Sequence, residues 1–140
     1  MTLLLDTGPV VSLADAAEPR REAVLALLRE EPGQLVIPAP ATAEIDDLLG
    51  RRFGPRARRA FIDDLAAGRF TVACLEREDH AEVAELEERY ESLDLGLVGC
   101  ALFVLGRRLW TTRLVTYDER RFRAARTTAG DVMHILPADA

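Results

Sequence analysis

The sequence predicts an α/β fold, a three-layer α/β/α sandwich around a mainly parallel central sheet. Two observations predict it. Short apolar runs such as residues 3–5 and 35–37 have the length and continuous hydrophobicity of strands buried on both faces. Longer segments with apolar residues at helical spacing separate these runs. Strand and helix therefore alternate along the chain, as they do where helices cover both faces of a parallel sheet.

The first half of the chain contains two predicted strands and four predicted helices. The strands are residues 3–5 and 35–37, and the helices cover residues 10–14, 20–31, from Pro40 onward, and from Gly54-Pro55 to near Gly68. Asp6 or Thr7 can cap the first helix, and Pro32-Gly33 stops the second. Pro38 closes the second strand, and a Pro next to Gly54 suits the start of the fourth helix.

The second half continues the alternation. Its predicted strands are residues 70–75, 114–116 and 132–136, and its helices cover residues 78–91, 97–110 and 119–123. The helix at 78–91 is acidic and amphipathic, whereas the one at 97–110 is the most apolar and is expected to lie centrally. Tyr117-Asp118 ends the fourth strand, ahead of a short basic helix.

Composition narrows the possible functions. The 140 residues carry a net charge of -6, and all 18 basic residues are Arg. Without Lys, neither a P-loop nor a phosphate-accepting receiver domain is possible. We expect a single domain over residues 1–140, and no apolar run reaches the roughly 20 residues that cross a bilayer. Because the N-terminus also shows no secretion signal, we expect a cytoplasmic protein.

Nucleophilic and zinc chemistry are also disfavoured. Cys74 and Cys100 lie in apolar stretches and are predicted to be free thiols in the core. The two His residues do not cluster with them at zinc-ligand spacing. Neither of the two Ser residues stands in a Gly-x-Ser-x-Gly elbow. Carboxylates are the reactive groups that remain.

Three acids are predicted to meet at one edge of the sheet. Asp6 follows the first strand, Asp118 follows the fourth, and Glu44 lies early in the helix after the second. Converging carboxylates favour a hard divalent cation such as Mg²⁺ or Mn²⁺. The alternative is structural: each Asp can simply cap the next helix, and Glu44 can be an ordinary exposed side chain.

Five segments together resemble the PIN domain of VapC-type toxins. They are LLLDTGPVVSLAD (3–15), VIPAPATAEIDDLL (36–49), YESLDLGLVGCALFVLGRRL (90–109), LVTYDERRFRAAR (114–126) and HILP (134–137). Their order and spacing agree across nearly the whole chain. The resemblance implies a PIN-like sandwich and a Mg²⁺-dependent endoribonuclease, usually a homodimer. It also implies inhibition by a cognate VapB-type antitoxin of a type II toxin–antitoxin module.

The resemblance assigns roles to individual residues. The family's first, second and fourth acids fall on Asp6, Glu44 and Asp118, and its hydroxyl positions fall on Thr7 and Thr116. Asp6 and Asp118 are expected to be metal ligands, with Glu44 as a ligand or as the base that orients water.

The third acid of the pattern is missing. Gly99 stands where members of the family commonly have a metal-binding Asp. Gly in a helix costs about 0.5–1 kcal/mol relative to Ala, so helical stability does not explain the choice. Three explanations remain: close helix packing or a tolerated glycine at the helix start, an inactivating substitution, and a naturally degenerate site. We expect impaired activity in either of the last two.

Arginines and surface apolar residues suggest partners. Arg51 and Arg52 lie in one basic cluster and Arg120 and Arg121 in another, and these four are candidate RNA contacts. The alternative is a solvated surface rich in Arg. The apolar candidates for an antitoxin groove, which are equally suited to the core, are Val10, Val11, Leu13, Leu48 and Leu49. Phe103 and Trp110 are predicted to be core residues.

Two functions follow from these observations. The first is a Mg²⁺-dependent endoribonuclease toxin. The second is a catalytically inactive PIN domain that only binds its antitoxin or RNA, and Gly99 keeps this alternative open. A haloacid-dehalogenase-like phosphatase also has an Asp after its first strand, but it needs a second Asp where Gly8 stands, and a Lys.

Overall fold

Strand β1 is the centre of a five-stranded, wholly parallel sheet in the computed structural model, which describes residues 2–140. The strand order is β3-β2-β1-β4-β5. The strands are β1 (Thr2–Leu5), β2 (Gln34–Pro38), β3 (Thr71–Ala73), β4 (Arg113–Val115) and β5 (His134–Leu136). The helices are α1 (Thr7–Ser12), α2 (Arg21–Glu30), α3 (Ala39–Phe53), α4 (Pro55–Ala66), α5 (Arg77–Arg89), α6 (Gly96–Arg108) and α7 (Glu119–Ala124). The predicted α/β sandwich is confirmed.

The sheet separates two hydrophobic cores because side chains alternate along β1. Leu4 faces the core that includes helices α5 and α6. Leu3 and Leu5 face the core that includes α1, α3 and α4. All three leucines are fully buried, which explains the continuous apolar run in the sequence.

Helix α6 lies centrally, as predicted from its apolar sequence. It packs against the sheet strands β1 and β2 and against helices α3 and α5. Phe103 on this helix is fully buried, as predicted, and its ring stacks on Phe122 with 5.6 Å between the centroids. Neighbours on every side leave α6 little polar surface.

Helix α1 begins three residues earlier than predicted, at Thr7 rather than Val10. The side chain of Asp6 accepts the Thr7 N–H and so caps the helix. Pro9 lies in the first turn, where its missing N–H removes no helical hydrogen bond. Thr7, Gly8 and Pro9 therefore belong to the helix.

Two predicted core residues are on the surface. Trp110 is 95% exposed, since it lies just beyond the end of α6 with a left-handed φ of 56°. There the Trp110 N–H donates to the Arg107 carbonyl and the Thr111 N–H to the Gly106 carbonyl, which is the Schellman pattern. Cys74 is exposed after the short edge strand β3, whereas Cys100 is buried as predicted, and both thiols are free.

No helix within residues 2–140 has both the length and the apolar character to cross a membrane.

Replacing Phe103 with Ala should lower the free energy of unfolding by about 3–5 kcal/mol, because the vacated volume lies inside a packed core. Urea unfolding followed by circular dichroism measures the change. The matched control is Leu97→Ala on the same helix, where the side chain is 48% exposed and the expected loss is below about 1 kcal/mol. Similar losses for the two variants would contradict the central position of α6.

Candidate active site

A pocket of about 500 Å³ opens where the central strands end, and Asp6, Glu44 and Asp118 all line it. Asp6 directly follows β1, and Asp118 lies beyond the end of β4, next to β1 in the sheet. Glu44 extends from α3, the helix that follows β2 on the other side of β1. The parallel sheet therefore brings together three acids that are far apart in the sequence.

Asp6 is held in place by two hydrogen bonds. Its Oδ1 accepts the Thr7 N–H at 2.9 Å, and its Oδ2 accepts the hydroxyl of Thr116 at 2.7 Å. The Thr116 hydroxyl oxygen also accepts the backbone N–H of Asp118 at 3.0 Å. Thr116 thus connects the two aspartates. The hydroxyl of Thr7 is buried without a hydrogen-bond partner among the described residues.

Burial raises the pKa of Asp6. The hydrogen bonds from Thr116 and Thr7 act in the opposite direction, while the nearby charge of Asp118 adds to the increase and that of Arg121 reduces it. Ionised Asp6 is therefore costly in the folded protein, and a cation close to it offsets that cost.

Asp118 is occupied by Arg121. Its Oδ1 accepts the backbone N–H of Arg121 at 3.2 Å, so that Asp118 caps α7, and its Oδ2 forms an ion pair with the Arg121 Nε. A second guanidinium nitrogen, Nη1, donates to the carbonyl oxygen of Asp94 at 2.6 Å. The capping role considered for Asp6 and Asp118 is thus real for both, and it coexists with their position in the pocket.

Glu44 is exposed, and its side chain makes no hydrogen bond or ion pair with another residue of the 2–140 range. It also lines a second pocket, which shares Asp6 and Arg121 with the first and includes Gly99. Glu44 is therefore the acid whose side chain is least restrained by the protein.

Gly99 lies in the first turn of α6, on the wall of that second pocket. A Cβ at this position would lie 3.2 Å from the Cβ of Leu95, and its near contacts would all be with Leu95 atoms. A side chain at this position requires the Cβ of Leu95 to shift by a few tenths of an ångström. Close packing against Leu95 therefore remains one explanation of Gly99, beside the absence of a ligand.

The donor set fits a divalent cation only loosely. Across residues 2–140, no three His, Cys, Asp or Glu side chains are close enough together to hold a metal ion. Carboxylate oxygens are nevertheless the ligands that Mg²⁺ prefers, and Mg²⁺ is commonly held by one or two carboxylates together with several waters. Asp6 and Asp118 provide such a pair, with Glu44 at the same pocket.

Ion pairs neutralise much of the predicted basic surface. Among the four candidate RNA contacts, Arg51 pairs with Asp47 at 2.6 Å, and Arg121 pairs with Asp118. Arg52 is exposed and lines the larger pocket, and Arg120 is exposed. Three arginines between residues 107 and 113 also pair with acids of other elements. They are Arg107 with Glu82, Arg108 with Asp79 and Arg113 with Glu31.

Sequence reasoning missed Tyr117 and Arg20. Tyr117 lines the larger pocket, and its hydroxyl is 2.7 Å from the Ser12 Oγ. The Arg20 guanidinium lies 3.8 Å from the centre of the Tyr117 ring. The position of Tyr117 beside Asp118 is the one signal in the sequence; Arg20 comes from a distant segment and carries none.

Comparisons with known proteins find similarity over nearly the whole chain. A family model for the PIN domain matches residues 3–127. Ribonuclease VapC26 of Mycobacterium tuberculosis is 29% identical over 135 residues, which cover 96% of this chain and 100% of VapC26.

Two solved structures share the fold. Mycobacterium tuberculosis VapC20, described as a Sarcin-Ricin loop cleaving toxin, matches with a TM-score of 0.78 at 19% identity, over 89% of this chain and 95% of VapC20. VapBC2 from Rickettsia felis, bound to a DNA fragment from its promoter, matches with a TM-score of 0.70 at 15% identity, over 96% of this chain and 98% of that one.

Replacing Asp6 with Asn should stabilise the metal-free protein more at about pH 8 than at about pH 4. Because the pKa of Asp6 is raised on folding, the stabilising contribution of its protonated form is complete below the ordinary value of 3.8. That contribution is lost as the pH rises through the higher folded value, and Asn, which does not ionise, avoids this loss.

Urea unfolding in EDTA at both pH values measures the difference between Asp6→Asn and wild type. The control is Asp47→Asn, which removes an exposed carboxylate paired with Arg51 outside the pocket. An Asp6→Asn effect that is independent of pH would show that ionised Asp6 is not under strain.

Proposed function

This chain belongs to the PIN-domain family, and we propose that it is a VapC-type ribonuclease toxin that hydrolyses RNA phosphodiester bonds. The observation that carries the proposal is the convergence of Asp6, Glu44 and Asp118 on one pocket at the carboxyl edge of the sheet. The similarity to ribonuclease VapC26, which extends over nearly the whole chain, supports it.

We propose Mg²⁺ (or Mn²⁺) as the cofactor, held by Asp6 and Asp118 with Glu44 as a further ligand or as the base. When bound, the ion lowers the pKa of a coordinated water and neutralises charge on the phosphate. Thr116 holds one oxygen of Asp6 and the backbone of Asp118, and so keeps both carboxylates at the pocket. Glu44, exposed and unrestrained, is placed to orient water and accept its proton.

Gly99 weakens this site in our proposal. An Asp at this position would add a fourth carboxylate to the wall that Asp6 and Glu44 already line. Its absence leaves fewer protein oxygens for the ion, so both metal affinity and cleavage should be reduced.

A second candidate function is a non-cleaving PIN domain that binds an antitoxin or RNA. It is favoured by Gly99 itself and by the lack of a group of three potential metal ligands within residues 2–140. The two candidate functions differ in one measurable respect, namely whether the protein with Asp at position 99 cleaves RNA and binds a divalent ion.

The proposed RNA contacts are four arginines, namely Arg51, Arg52, Arg120 and Arg121. Arg52 lines the larger pocket, and Arg120 is exposed and adjacent in sequence to Arg121, which lines the same pocket. Both can therefore bind a phosphate without breaking an ion pair with the described residues. Arg51 and Arg121 must first give up Asp47 and Asp118. Arg52 and Arg120 are therefore the stronger candidates.

An antitoxin helix has an apolar groove available on α1, α3 and α4. Its lining residues are Val10, Leu13, Ala14, Leu49, Ala57, Ala60, Phe61, Asp64 and Phe70. Val10 and Leu49 are largely core residues, whereas Leu13 is half-buried and offers its side chain to a partner. The likeness to VapBC2 supports a VapB-type antitoxin as that partner. We also propose a cytoplasmic homodimer, as the family resemblance implies.

Placing Asp at position 99 should raise Mg²⁺-dependent RNA cleavage by at least about tenfold, since it restores a missing ligand. Cleavage of total RNA by purified antitoxin-free protein, with Mg²⁺ or with EDTA, measures it. Gly99→Ala is the matched control, because it adds the Cβ next to Leu95 without a carboxylate. If Gly99→Asp folds but cleaves no RNA and binds no divalent ion, the non-cleaving module is the better description.

Replacing Ala60 with Arg should weaken antitoxin binding by at least about tenfold, because it places a charge in the apolar groove. Ala60 is exposed, so the fold should be unaffected. Co-purification with a co-expressed antitoxin and calorimetry of the complex measure the effect. Ala66→Arg, an exposed position of α4 outside the groove, is the control. Equal binding by both variants would place the antitoxin elsewhere.

A further inference from the structure

Arg121 lies at the centre of the candidate active site. It lines both pockets that contain Asp6 and Glu44. Its Nε contacts Asp118, and its Nη1 donates to the carbonyl oxygen of Asp94 at 2.6 Å. The side chain is 40% exposed, so it can leave this position without disturbing the core.

We propose that Arg121 is an internal cation that competes with the divalent ion for Asp118, and that ion binding displaces its guanidinium. This inference rests on the proposed function, because it concerns the same metal ligands. Arg121 is then a positioning residue: in the metal-free protein it occupies Asp118 and so opposes the binding of a metal ion there.

The competition follows from the contacts of Asp118. One of its oxygens accepts the Arg121 backbone N–H, which belongs to the cap of α7, and the other is paired with the Arg121 Nε. A cation can approach the second oxygen only if the Nε contact is broken or weakened. The positive charge of the guanidinium also repels a divalent cation at Asp118. This repulsion is stronger than it would be in water, because the effective dielectric constant at the site is lower.

The loss of the third acid makes this competition more important. With Gly99 in place of a carboxylate, Asp6, Glu44 and Asp118 are the acids that line the pockets. Arg121 neutralises one of them, and its charge also acts on Asp6. The net negative charge that attracts a divalent ion is therefore smaller than the carboxylates alone would provide.

The contact with Asp94 ties the resting position to the start of α6. Asp94 has a left-handed backbone with φ of 53°, two residues before this helix begins. Arg121 thus connects helix α7 to the segment just before the helix that carries Gly99. Once displaced, the guanidinium is free to bind an RNA phosphate, which couples ion binding to substrate binding.

Calorimetric titration of the full chain with Mn²⁺ tests the proposal. Arg121→Gln removes the charge and should bind Mn²⁺ about threefold to tenfold more tightly than wild type. Arg121→Met serves as a second neutral variant, and Arg121→Lys, which keeps a cation within reach of Asp118, should stay close to wild type. Arg120→Gln removes an equal charge from the adjacent exposed residue and should leave affinity unchanged. Thermal unfolding confirms that each variant is folded.

The same titrations are repeated in the Gly99→Asp background, where the complete set of acids is present. Unchanged or weaker Mn²⁺ binding by Arg121→Gln, in proteins that do bind Mn²⁺, overturns the competition and leaves the proposed function intact. Equal tightening by Arg120→Gln also overturns it, since general charge would then explain the effect. No Mn²⁺ binding by any protein, including Gly99→Asp, overturns the proposed function itself.

Discussion

The partly buried position of Asp6 beside the like charge of Asp118 is the constraint on which the rest of the site depends. A carboxylate with a raised pKa at the end of a central strand is unfavourable unless donors or cations surround it. The protein supplies the Thr7 N–H, the Thr116 hydroxyl and, further away, the Arg121 charge. Thr7 is the next residue in the chain, whereas Thr116 and Arg121 both come from the segment that includes the end of β4 and helix α7. The local fold at the carboxyl edge of the sheet can be understood as the means of holding this one group.

The same arrangement explains why the site can be electrostatically strained while the molecule stays stable. Leu3, Leu4 and Leu5 precede Asp6 and are buried in two separate cores. The strand that carries the acid is therefore held from both faces of the sheet. Functional sites commonly keep unfavourable groups that the surrounding structure over-determines.

Gly99 removes an expected ligand from the site without changing the fold around it. The helix that carries it has the buried, central position that the fold needs, and a side chain at position 99 requires Leu95 to shift by a few tenths of an ångström. The structure thus retains the scaffold of the site without one of its expected ligands. Arg121 therefore has a larger electrostatic effect on the site, because its single guanidinium neutralises a larger share of the acidic side chains that remain.

The sequence alone was sufficient for the alternation of strands and helices, the central position of α6 and the shared edge of Asp6 and Asp118. The hydrophobic period is expressed in every local segment, and parallel strands that run in the same direction end at the same edge of the sheet. Helix ends were harder to predict: Asp6 starts α1 early, and Trp110 continues the apolar pattern of α6 although a Schellman turn directs it to solvent.

Only the tertiary structure decided which charges meet. Arg107, Arg108 and Arg113 are basic residues in the sequence, yet in the structure each pairs with an acid from another element. The bridge from Arg121 to Asp94 likewise joins residues 27 positions apart. Such contacts depend on how elements pack, and a side chain carries the same charge in the sequence whether its partner is solvent, RNA or another residue.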